Sequence, residues 1–467
     1  MAYGDTSALR AAFRGELVRP GDDRYDELRS VFNAMTERRP AVIARCLDAA
    51  DVAAAVNFGR DRGLPVAVYG GGHGVTGHAV CDDGIVVDLR PMKGISIDPQ
   101  ARRGRAEAGL TWGEFDAATQ EYGLAVTGGR VSTTGIGGLA LGSGSGWIER
   151  KHGYTADNLL SVQIVTADGR IRAASETMNP ELFWGIRGGG GNFGVVTSFE
   201  FRLHPLGPMM LAGLVLYPAP MAGPVLSNFR QVMQEAPDEV GGAVALITAP
   251  ATDAVPGPVR GQPVVGVVLS YAGSAEDGEK ALAPLREFGP PAADLVQPMP
   301  YVALQRLIDE GNPKGLRHYW SADFLTGLPD EAIETICDRH LTAPSPHSQI
   351  LVIPGGGAIA RIPEDRMAFG QRQAPFNLHV LSVWQHQRDD EANIVWAREF
   401  GTAVKPFTTG RAYLNFIGDE GEGRVRAAFG PQAYARLQAL KDRYDPQNLF
   451  RLNQNIEPSG LRTGSAA

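Results

Sequence analysis

Residues 69–77 of the chain read Tyr69-Gly70-Gly71-Gly72-His73-Gly74-Val75-Thr76-Gly77 and directly follow the short apolar run Pro65–Tyr69. Glycine has no Cβ atom, so it adopts positive φ values and lets the backbone approach a ligand closely. Four glycines within five residues therefore indicate that a large flat or anionic group lies against this loop. His73 is the one reactive side chain in it.

The loop formally fits the dinucleotide pattern GxGxxG through Gly72, Gly74 and Gly77. A Rossmann site needs a helix directly after this pattern, with its N-terminus on the pyrophosphate. Only residues 78–84 separate the loop from the next apolar run, which begins at Ile85 and predicts a strand. No helix of ordinary length fits there, and the chain has no GK[ST] signature. The Rossmann and P-loop interpretations are therefore both rejected.

Two further glycine-dense stretches occur at Thr127–Gly146 and Arg187–Gly194. Successive backbone N–H groups form cradles that bind anions without a long helix. Loops far apart in the chain can in this way hold the two ends of one large cofactor. Tight turns in a compact domain are the alternative, but three clusters bordered by strands favour a ligand.

Apolar periodicity predicts a small β-α-β unit that ends at the first glycine loop, with a strand over 41–46, a helix over 48–62 and a strand over 65–69. Thr111, with Glu114 three residues later, predicts a capped helix over 111–122. The Asp-Gly pair within Ala167–Arg170 predicts a hairpin turn.

Prolines and glycine within 205–208 interrupt the chain and predict a domain boundary. From there to about residue 405, strand-like and helical runs alternate as expected for an antiparallel sheet covered by helices. The predicted fold is α+β, with domains at 1–208 and 209–405. A C-terminal segment at 406–467 does not extend the second pattern, and residues 1–36 are predicted to be a polar lead-in with some helix.

Composition restricts the classes of partner. The 467 residues carry a net charge of −8, which makes nucleic acid and anionic membranes poor partners. Cys46, Cys81 and Cys337 are far apart, so neither a disulfide framework nor a metal-binding CxxC pair is predicted. We expect a soluble cytoplasmic protein, as monomer or homodimer, with no bound metal.

The motifs taken together resemble one family. They are GGGHG at 70–74, TGGRVSTTGIGGLALGSGSGW at 127–147, YTADNLLSVQIVTADG at 154–169, LFWGIRGGGGNFGVVTSFEFRLHP at 182–205, AYLNF at 412–416 and YDPQNLFR at 444–451. In this order they resemble the FAD-linked oxidases of the vanillyl-alcohol oxidase superfamily, and within it the berberine-bridge-enzyme-like group, especially its bacterial members. The resemblance spans roughly residues 38–458.

This resemblance implies a PCMH-type FAD-binding domain of two α/β subdomains, with a core at about 38–208, followed by a substrate domain. The C-terminal segment is implied to return to the FAD domain. In this family the histidine of GGGHG is bonded to the flavin 8α-methyl carbon, which assigns that role to His73. The residues implied to contact FAD are Gly70, Gly71, Gly72, His73, Gly74, Val131, Ser132, Thr134, Gly135, Gly137, Gly138, Gly146, Asn158, Val195, Tyr413 and Asn415.

Many relatives carry a second flavin link through a cysteine at the start of the second glycine stretch. Val131 occupies the matching position here and no cysteine lies nearby, so a single covalent bond is expected.

The positions that carry a catalytic base in other members of the family are not basic here. The family glutamate aligns with Asn377, and the second tyrosine of its Y-x-N-Y motif aligns with Phe416. Three alternatives remain open. The substrate is an amine that needs no strong base, His379 replaces the glutamate from the same strand face, or Tyr413 acts.

Aromatic residues are expected to form the substrate wall. The candidates are Tyr319, Trp320 and Asp323, with Tyr319 and Trp320 on opposite faces of their strand. The function implied is an FAD-dependent oxidase that takes a hydride from a C–H next to oxygen or nitrogen of an alcohol, sugar, amine or secondary metabolite, with O₂ as acceptor. A flavin-dependent dehydrogenase or oxygenase, or a flavin-binding protein without catalysis, are the alternatives.

Overall fold

The computed structural model describes residues 6–251, 253 and 255–464. The first part of the chain forms two sheets with flanking helices. Its elements are α1 Ser7–Ala12, β1 Glu16–Val18, α2 Tyr25–Arg29, β2 Val42–Arg45, α3 Ala49–Asp61, β3 Val66–Tyr69, β4 Ile85–Asp88, β5 Ile95–Asp98, β6 Arg103–Glu107, α4 Trp112–Gln120, β7 Leu124–Ala125, α5 Ile136–Leu141, α6 Glu149–His152, β8 Leu159–Val165, β9 Ile171–Ser175, α7 Pro180–Ile186, β10 Val195–Arg202 and β11 His204–Pro205.

The second part contains one large sheet. Its elements are β12 Met209–Pro218, α8 Ala222–Glu235, β13 Val240–Thr248, β14 Pro263–Tyr271, α9 Ala275–Arg286, β15 Ala293–Asp294, β16 Gln297–Pro300, α10 Tyr301–Leu304, β17 Arg317–Leu325, α11 Asp330–Leu341, β18 Gln349–Pro354, α12 Ala358–Arg361, β19 Phe376–Trp384 and α13 Asp390–Val404. The C-terminal part adds β20 Thr408–Ala412, α14 Glu422–Phe429 and α15 Pro431–Tyr444.

The first sheet, of order β1-β2-β4-β3, contains the predicted β-α-β unit. Strands β2, β4 and β3 are parallel, and α3 connects β2 to β3. The Asp48 carboxylate caps α3 by accepting hydrogen bonds from the backbone N–H groups of Ala50 and Asp51. No helix forms between β3 and β4, which confirms that the glycine loop is not a Rossmann turn.

The second sheet is antiparallel, in the order β5-β6-β10-β8-β9. Its β8–β9 hairpin turns where the Asp-Gly pair predicts, and Gly169 there has a φ of +75°. The capping box of α4 also forms, with Thr111 Oγ1 accepting from the Glu114 N–H and the Glu114 carboxylate accepting from the Thr111 N–H. Both local predictions are confirmed because their interactions lie within a few residues.

The large antiparallel sheet runs β15-β12-β14-β13-β18-β19-β17-β20, and β16 pairs with β12. On β19 the side chains of Phe376, Leu378 and Val380 pack in one core with residues of the covering helices α8, α11 and α13. The alternate residues of β19 face the first two sheets. Period-2 alternation thus gives this strand a core face and a face toward the rest of the molecule.

The C-terminal segment returns to the first part of the chain, but only after β20 has added an edge strand to the large sheet beside β17. On α15, Leu437, Leu440 and Tyr444 join the core of the first two sheets. The buried ammonium of Lys441 donates to the carbonyls of Asn192 (2.9 Å) and Phe450 (2.8 Å). This return places residues 414–417 and 450–454 beside the glycine loops.

The described residues contain no helix that is long and apolar enough to cross a membrane. No group of three or more histidine, cysteine, aspartate or glutamate side chains within the same ranges could hold a metal ion.

Candidate cofactor and substrate site

A cavity of about 360 Å³ lies where the three glycine stretches, the large sheet and the C-terminal segment meet. All three stretches line it, through residues within 70–74, 129–145 and 188–194. Its opposite wall comes from β17, β18 and β19, and residues 414–417 and 450–454 close one side. The sequence stretches that were singled out for their glycines therefore converge on one space.

The first two glycine loops touch through their backbones. A Cβ atom at Gly71 would lie 2.3 Å from the backbone nitrogen of Gly135, and one at Gly135 would lie 2.4 Å from that of Gly71. Neither position accepts a side chain without moving the other loop. The two loops form one continuous wall because both residues are glycine.

Other glycines leave open space toward the cavity. A Cβ atom at Gly138, Gly190 or Gly191 would have no described atom within 4 Å, and one at Gly74 would meet only the Thr76 hydroxyl at 3.9 Å. Side chains at these positions would project into the cavity. The bare backbone therefore forms an extended cradle, as expected for a large flat ligand.

His73 projects from the first loop into this cradle. Its Nε2 atom shares a hydrogen bond with Thr133 Oγ1 at 2.8 Å, which ties the first glycine loop to the second. Burial lowers the pKa of His73 to about 4, with a smaller opposing effect from Asp309 and a smaller reinforcing one from Lys314. The imidazole is therefore neutral at physiological pH and keeps one nitrogen lone pair for bonding.

Phe32 holds the His73 ring from the side. It stacks on His73 with ring centroids 4.4 Å apart and on His318 with centroids 4.6 Å apart. Next to it, the Asn33 side-chain amide donates to the carbonyls of Val75 (2.7 Å) and His318 (3.0 Å). The segment around residue 32 therefore connects the glycine loop to β17, which its interpretation as a lead-in did not predict.

His379 supplies a buried polar group on the opposite wall. Its side chain is fully buried and lines the cavity, and neither ring nitrogen has a hydrogen-bond partner among the described atoms. Its cross-strand neighbours, Ala322 and Leu351, are apolar. Burial, with a smaller contribution from Arg130, lowers the pKa of His379 to about 3. A neutral imidazole with two unused nitrogens thus faces the space where a ligand would lie.

Tyr413 lies behind the cavity wall. Its ring centroid is 5.9 Å from that of His379, and its hydroxyl oxygen accepts weak hydrogen bonds from Ser143 (3.4 Å) and Asn415 (3.5 Å). Burial raises the pKa of Tyr413 to about 12. Tyr413 therefore stays protonated, and Asn415, which lines the cavity, separates it from the ligand space.

Comparisons with known proteins agree with this arrangement. The FAD binding domain family model matches residues 40–175, and the model for berberine and berberine-like proteins matches residues 412–457. The chain is 32% identical over 475 residues to (R)-6-hydroxynicotine oxidase of Paenarthrobacter nicotinovorans, covering 97% of this chain and 99% of that protein. The chain belongs to the berberine-bridge-enzyme-like FAD-linked oxidoreductases. An FAD-linked oxidoreductase of Dictyostelium discoideum is 30% identical over 452 residues, which is 96% of this chain and 95% of that protein.

A solved structure of 6-hydroxy-D-nicotine oxidase from Arthrobacter nicotinovorans superposes with a TM-score of 0.86 at 29% identity, over 96% of this chain and 98% of that one. This likeness confirms the predicted α+β fold of the PCMH type. The family makes the chain an FAD-linked oxidoreductase, and the bare glycine backbone of the cradle leaves open space for the cofactor.

Most residues that the sequence assigns to FAD contact do line the cavity of this FAD-linked oxidoreductase: Gly70, Gly71, Gly72, His73, Gly74, Val131, Thr134, Gly135, Gly137, Gly138, Val195 and Asn415. Besides Tyr413, three other assigned residues lie outside the lining. Ser132 hydrogen-bonds to Asp309 through its hydroxyl at 2.6 Å. A Cβ at Gly146 would lie 2.1 Å from the Gly128 carbonyl oxygen, and the Asn158 amide donates to the Tyr154 carbonyl. These three positions hold loops together and do not face the cofactor space.

The structure places the predicted substrate-wall residues of the oxidoreductase on two different faces of β17. Trp320 lines the cavity, but Tyr319 points to the helix side of β17, where its hydroxyl accepts from Arg398 of α13 at 3.3 Å. Asp323 is paired with Arg424 of α14 at 2.6 Å. Asn377 lies on the same side of β19 as His379, yet it is outside the cavity lining. The alternation of residues along β17 correctly predicted that Tyr319 and Trp320 lie on opposite faces, but it does not indicate which face lines the cavity.

Several residues that line the cavity were not predicted from the sequence. Phe32 carried no recognisable motif, whereas the third glycine stretch did offer a signal for Gly190 and Gly191. Phe450, near the end of the YDPQNLFR motif at 444–451, and Leu452, Asn453 and Gln454 just after it also line the cavity. The Lys441 ammonium donates to the Phe450 carbonyl at 2.8 Å.

Proposed function

We propose that this chain is an FAD-dependent oxidase that removes a hydride from a C–H bond next to oxygen or nitrogen in a small organic substrate. When bound, FAD supplies the two-electron acceptor, and its reoxidation by O₂ yields H₂O₂. The observation that carries the proposal is the position of His379. This buried polar group, which has no hydrogen-bond partner among the described atoms, faces the same cavity as His73 and the bare glycine backbone.

We propose further that one covalent bond holds the cofactor, between a ring nitrogen of His73 and the flavin 8α carbon. A neutral imidazole is the form that can make this bond, and burial keeps His73 neutral. Val131 lines the cavity at the position where many relatives carry a second, cysteine link. None of the described cysteines Cys46, Cys81 and Cys337 lines the cavity, which supports a single bond.

His379 is better suited to orient a substrate than to store its proton. A group with a pKa of about 3 accepts a hydrogen bond at neutral pH but binds a full proton weakly. Tyr413, with a pKa of about 12, is already protonated and can act only as a donor or acceptor of a hydrogen bond. Both residues were candidates for a catalytic base, and the direction of these pKa shifts favours an orienting role for His379 and a supporting one for Tyr413.

Two measurements test the proposal. After acid precipitation of the purified protein, yellow colour should remain in the pellet, and the flavin peptide released by digestion should contain His73 and no cysteine. Anaerobic mixing with alcohols and amines should bleach the flavin absorbance, and admission of air should restore it with formation of H₂O₂. Bleaching without reoxidation by air would instead indicate a dehydrogenase. A holoprotein that dithionite reduces but no organic compound does would indicate a flavin-binding protein without catalysis.

A further inference from the structure

The cavity wall carries almost no charge. Within the described part of the chain, no aspartate, glutamate or lysine lines it. Arg130 is the exception among the permanently charged groups, and its guanidinium is paired with the buried Glu149 carboxylate at 2.9 Å and donates to Ser145 Oγ at 2.8 Å. The lining histidines with lowered pKa, including His73 and His379, are neutral. A ligand in this cavity therefore meets no unpaired charge.

The part of the wall formed by the large sheet is apolar and flat. One cross-strand row consists of Trp320, Leu381 and Gln349, which lie side by side on β17, β19 and β18. The indole of Trp320 stacks on Phe416, with centroids 5.3 Å apart and ring planes 18° from parallel. The next row places His379 beside Leu351. Stacked aromatic and aliphatic surfaces of this kind favour planar ligands.

Hydrogen-bonding groups on this wall are few. The two ring nitrogens of His379 and the indole N–H of Trp320 are buried and have no described partner. Gln349 already donates to the Gly311 carbonyl at 3.2 Å. The described groups of this wall can therefore form hydrogen bonds with one hydroxyl or amino group of a ligand and with one further acceptor atom.

We propose that the substrate of this oxidase is an uncharged, largely apolar, planar molecule that presents a single hydroxyl or un-ionised amino group to His379 at the carbon that is oxidised. The inference rests on the proposed function and specifies its substrate class. Ammonium ions and carboxylates are disfavoured because burying an unpaired charge is costly, and sugars because most of their hydroxyls would lose their hydrogen bonds on entry.

The test uses four probes of graded chemistry with the purified holoprotein at pH 7: benzyl alcohol, benzylamine as its ammonium ion, benzoate and glucose. Binding is measured by anaerobic titration calorimetry on holoprotein whose flavin has been reduced with dithionite, so that no hydride transfer contributes to the heat. We expect benzyl alcohol to bind at least 10-fold more tightly than each of the other three. Tighter or equal binding of any other probe, or no binding of benzyl alcohol at 50 mM, would overturn the inference.

A charge variant sharpens the test. Gln349→Glu is isosteric and places a carboxylate in the row with Trp320 and Leu381, on a residue that is only partly buried. We expect it to tighten benzylamine binding at least 10-fold and to weaken benzoate binding. Gln234→Glu, on the exposed surface of α8, makes the same change of net charge and should alter neither affinity. If Gln349→Glu changes neither the benzylamine nor the benzoate affinity, the charge of this wall does not select the substrate.

A second pair of variants tests whether the change in affinity depends on charge and not on position 349 itself. Leu381→Glu should also favour benzylamine, whereas Leu381→Gln, of equal size and no charge, should not. Reduction by dithionite and FAD content are measured on every sample. A wild-type protein without reducible FAD would contradict the proposed function and leave the calorimetric result standing, whereas a reducible protein that prefers a charged probe would contradict only the substrate class.

Discussion

The Nε2 atom of His73 lies 2.8 Å from the Oγ1 atom of Thr133, so a hydrogen bond joins the first and second glycine loops at the residue proposed to hold the flavin. The threonine hydroxyl can accept the Nε2 proton or donate to the Nε2 lone pair, and the first arrangement leaves the Nδ1 lone pair free for bonding. Partners of this kind orient an imidazole and raise its basicity, as in metal sites.

Thr133→Val should therefore impair covalent attachment. It keeps the shape of the side chain and removes the hydroxyl, so we expect the fraction of flavin retained in an acid pellet to fall by about 10-fold. Thr133→Ser retains the hydroxyl and should behave like the natural protein. Equal covalent flavin in the valine variant would show that this hydrogen bond does not prepare His73.

Phe32 is expected to position His73 through stacking. Phe32→Ala removes a buried ring that contacts both His73 and His318, and large-to-small changes of this kind cost about 3–5 kcal/mol of stability. Phe32→Leu preserves most of the apolar volume but loses the flat contact. We expect urea unfolding to show a large loss only for alanine, while acid-insoluble flavin falls in both. Full covalent flavin in the leucine variant would mean that Phe32 only fills space.

The sequence predicted the parts of this fold that depend on neighbouring residues. The capping box of Thr111 and Glu114 and the hairpin at 167–170 follow from interactions within four residues. The cofactor loop was recognisable because its glycines and His73 are contiguous. No local pattern could reveal that Phe32 reaches this loop, since its two stacking partners lie 41 and 286 positions further along the chain.

The choice between the two faces of β17 shows the same limit. Alternation places Tyr319 and Trp320 on opposite sides of the strand. Which side faces the ligand depends on where α13 packs, and Arg398 of that helix donates a hydrogen bond to the Tyr319 hydroxyl. The role of Asp323 was likewise hidden, because its partner Arg424 belongs to the returning C-terminal segment.

His379 is expected to contribute to turnover, but its ionisation is not expected to appear in the pH profile of kcat/KM. His379→Gln or His379→Leu should lower kcat/KM by roughly 10²-fold, the low end of the range for a positioned polar group in the active site. Because the pKa of His379 is about 3, the natural enzyme should show no loss of kcat/KM from this residue between pH 8 and pH 5. Loss of activity with a midpoint near 6.5, absent in the glutamine variant, would instead identify His379 as a conventional base.

Acid should destabilise the fold through two half-buried histidines. His152 and His204 stack with centroids 4.1 Å apart, and burial lowers their pKa values to about 3 and about 4. Below pH 6.5 the unfolded chain binds protons that the folded state does not, so the free energy of unfolding falls as the pH decreases from 6.5 toward 4. Urea titrations should show this slope reduced in His152→Gln but unchanged in His386→Gln, which alters an exposed histidine. An identical slope in His152→Gln would contradict the assignment.

Asp116 should affect the pH dependence of stability in the direction opposite to that of the two histidines. It is buried on α4, where Gln305 Nε2 donates to its Oδ2 at 2.7 Å, while its Oδ1 and the nearby Tyr301 hydroxyl have no partner among the described atoms. Burial raises the pKa of Asp116 from 3.8 to about 7, with Gln305 opposing the shift. Between these two values the folded state holds a proton that the unfolded state lacks. Its contribution to stability is therefore largest below about pH 4 and declines as the pH rises to about 7.

Above pH 7 the buried Asp116 carboxylate is charged and destabilises the folded state, so replacing it should raise the free energy of unfolding. Asp116→Asn keeps an acceptor for Gln305 and carries no charge, so we expect it to exceed the natural protein in unfolding free energy at pH 8, by up to about 4 kcal/mol for a shift of this size. The difference between the two proteins should shrink steadily as the pH is lowered to 4, and comparing them at each pH cancels the histidine contribution. Asp61→Asn, at an exposed site on α3, should show no such trend. Two outcomes would contradict this: a variant less stable than the natural protein at pH 8, or a difference in unfolding free energy that does not change with pH. Either would mean that Asp116 is ionised in the folded state and that its contact with Gln305, which joins the two parts of the chain, depends on that charge.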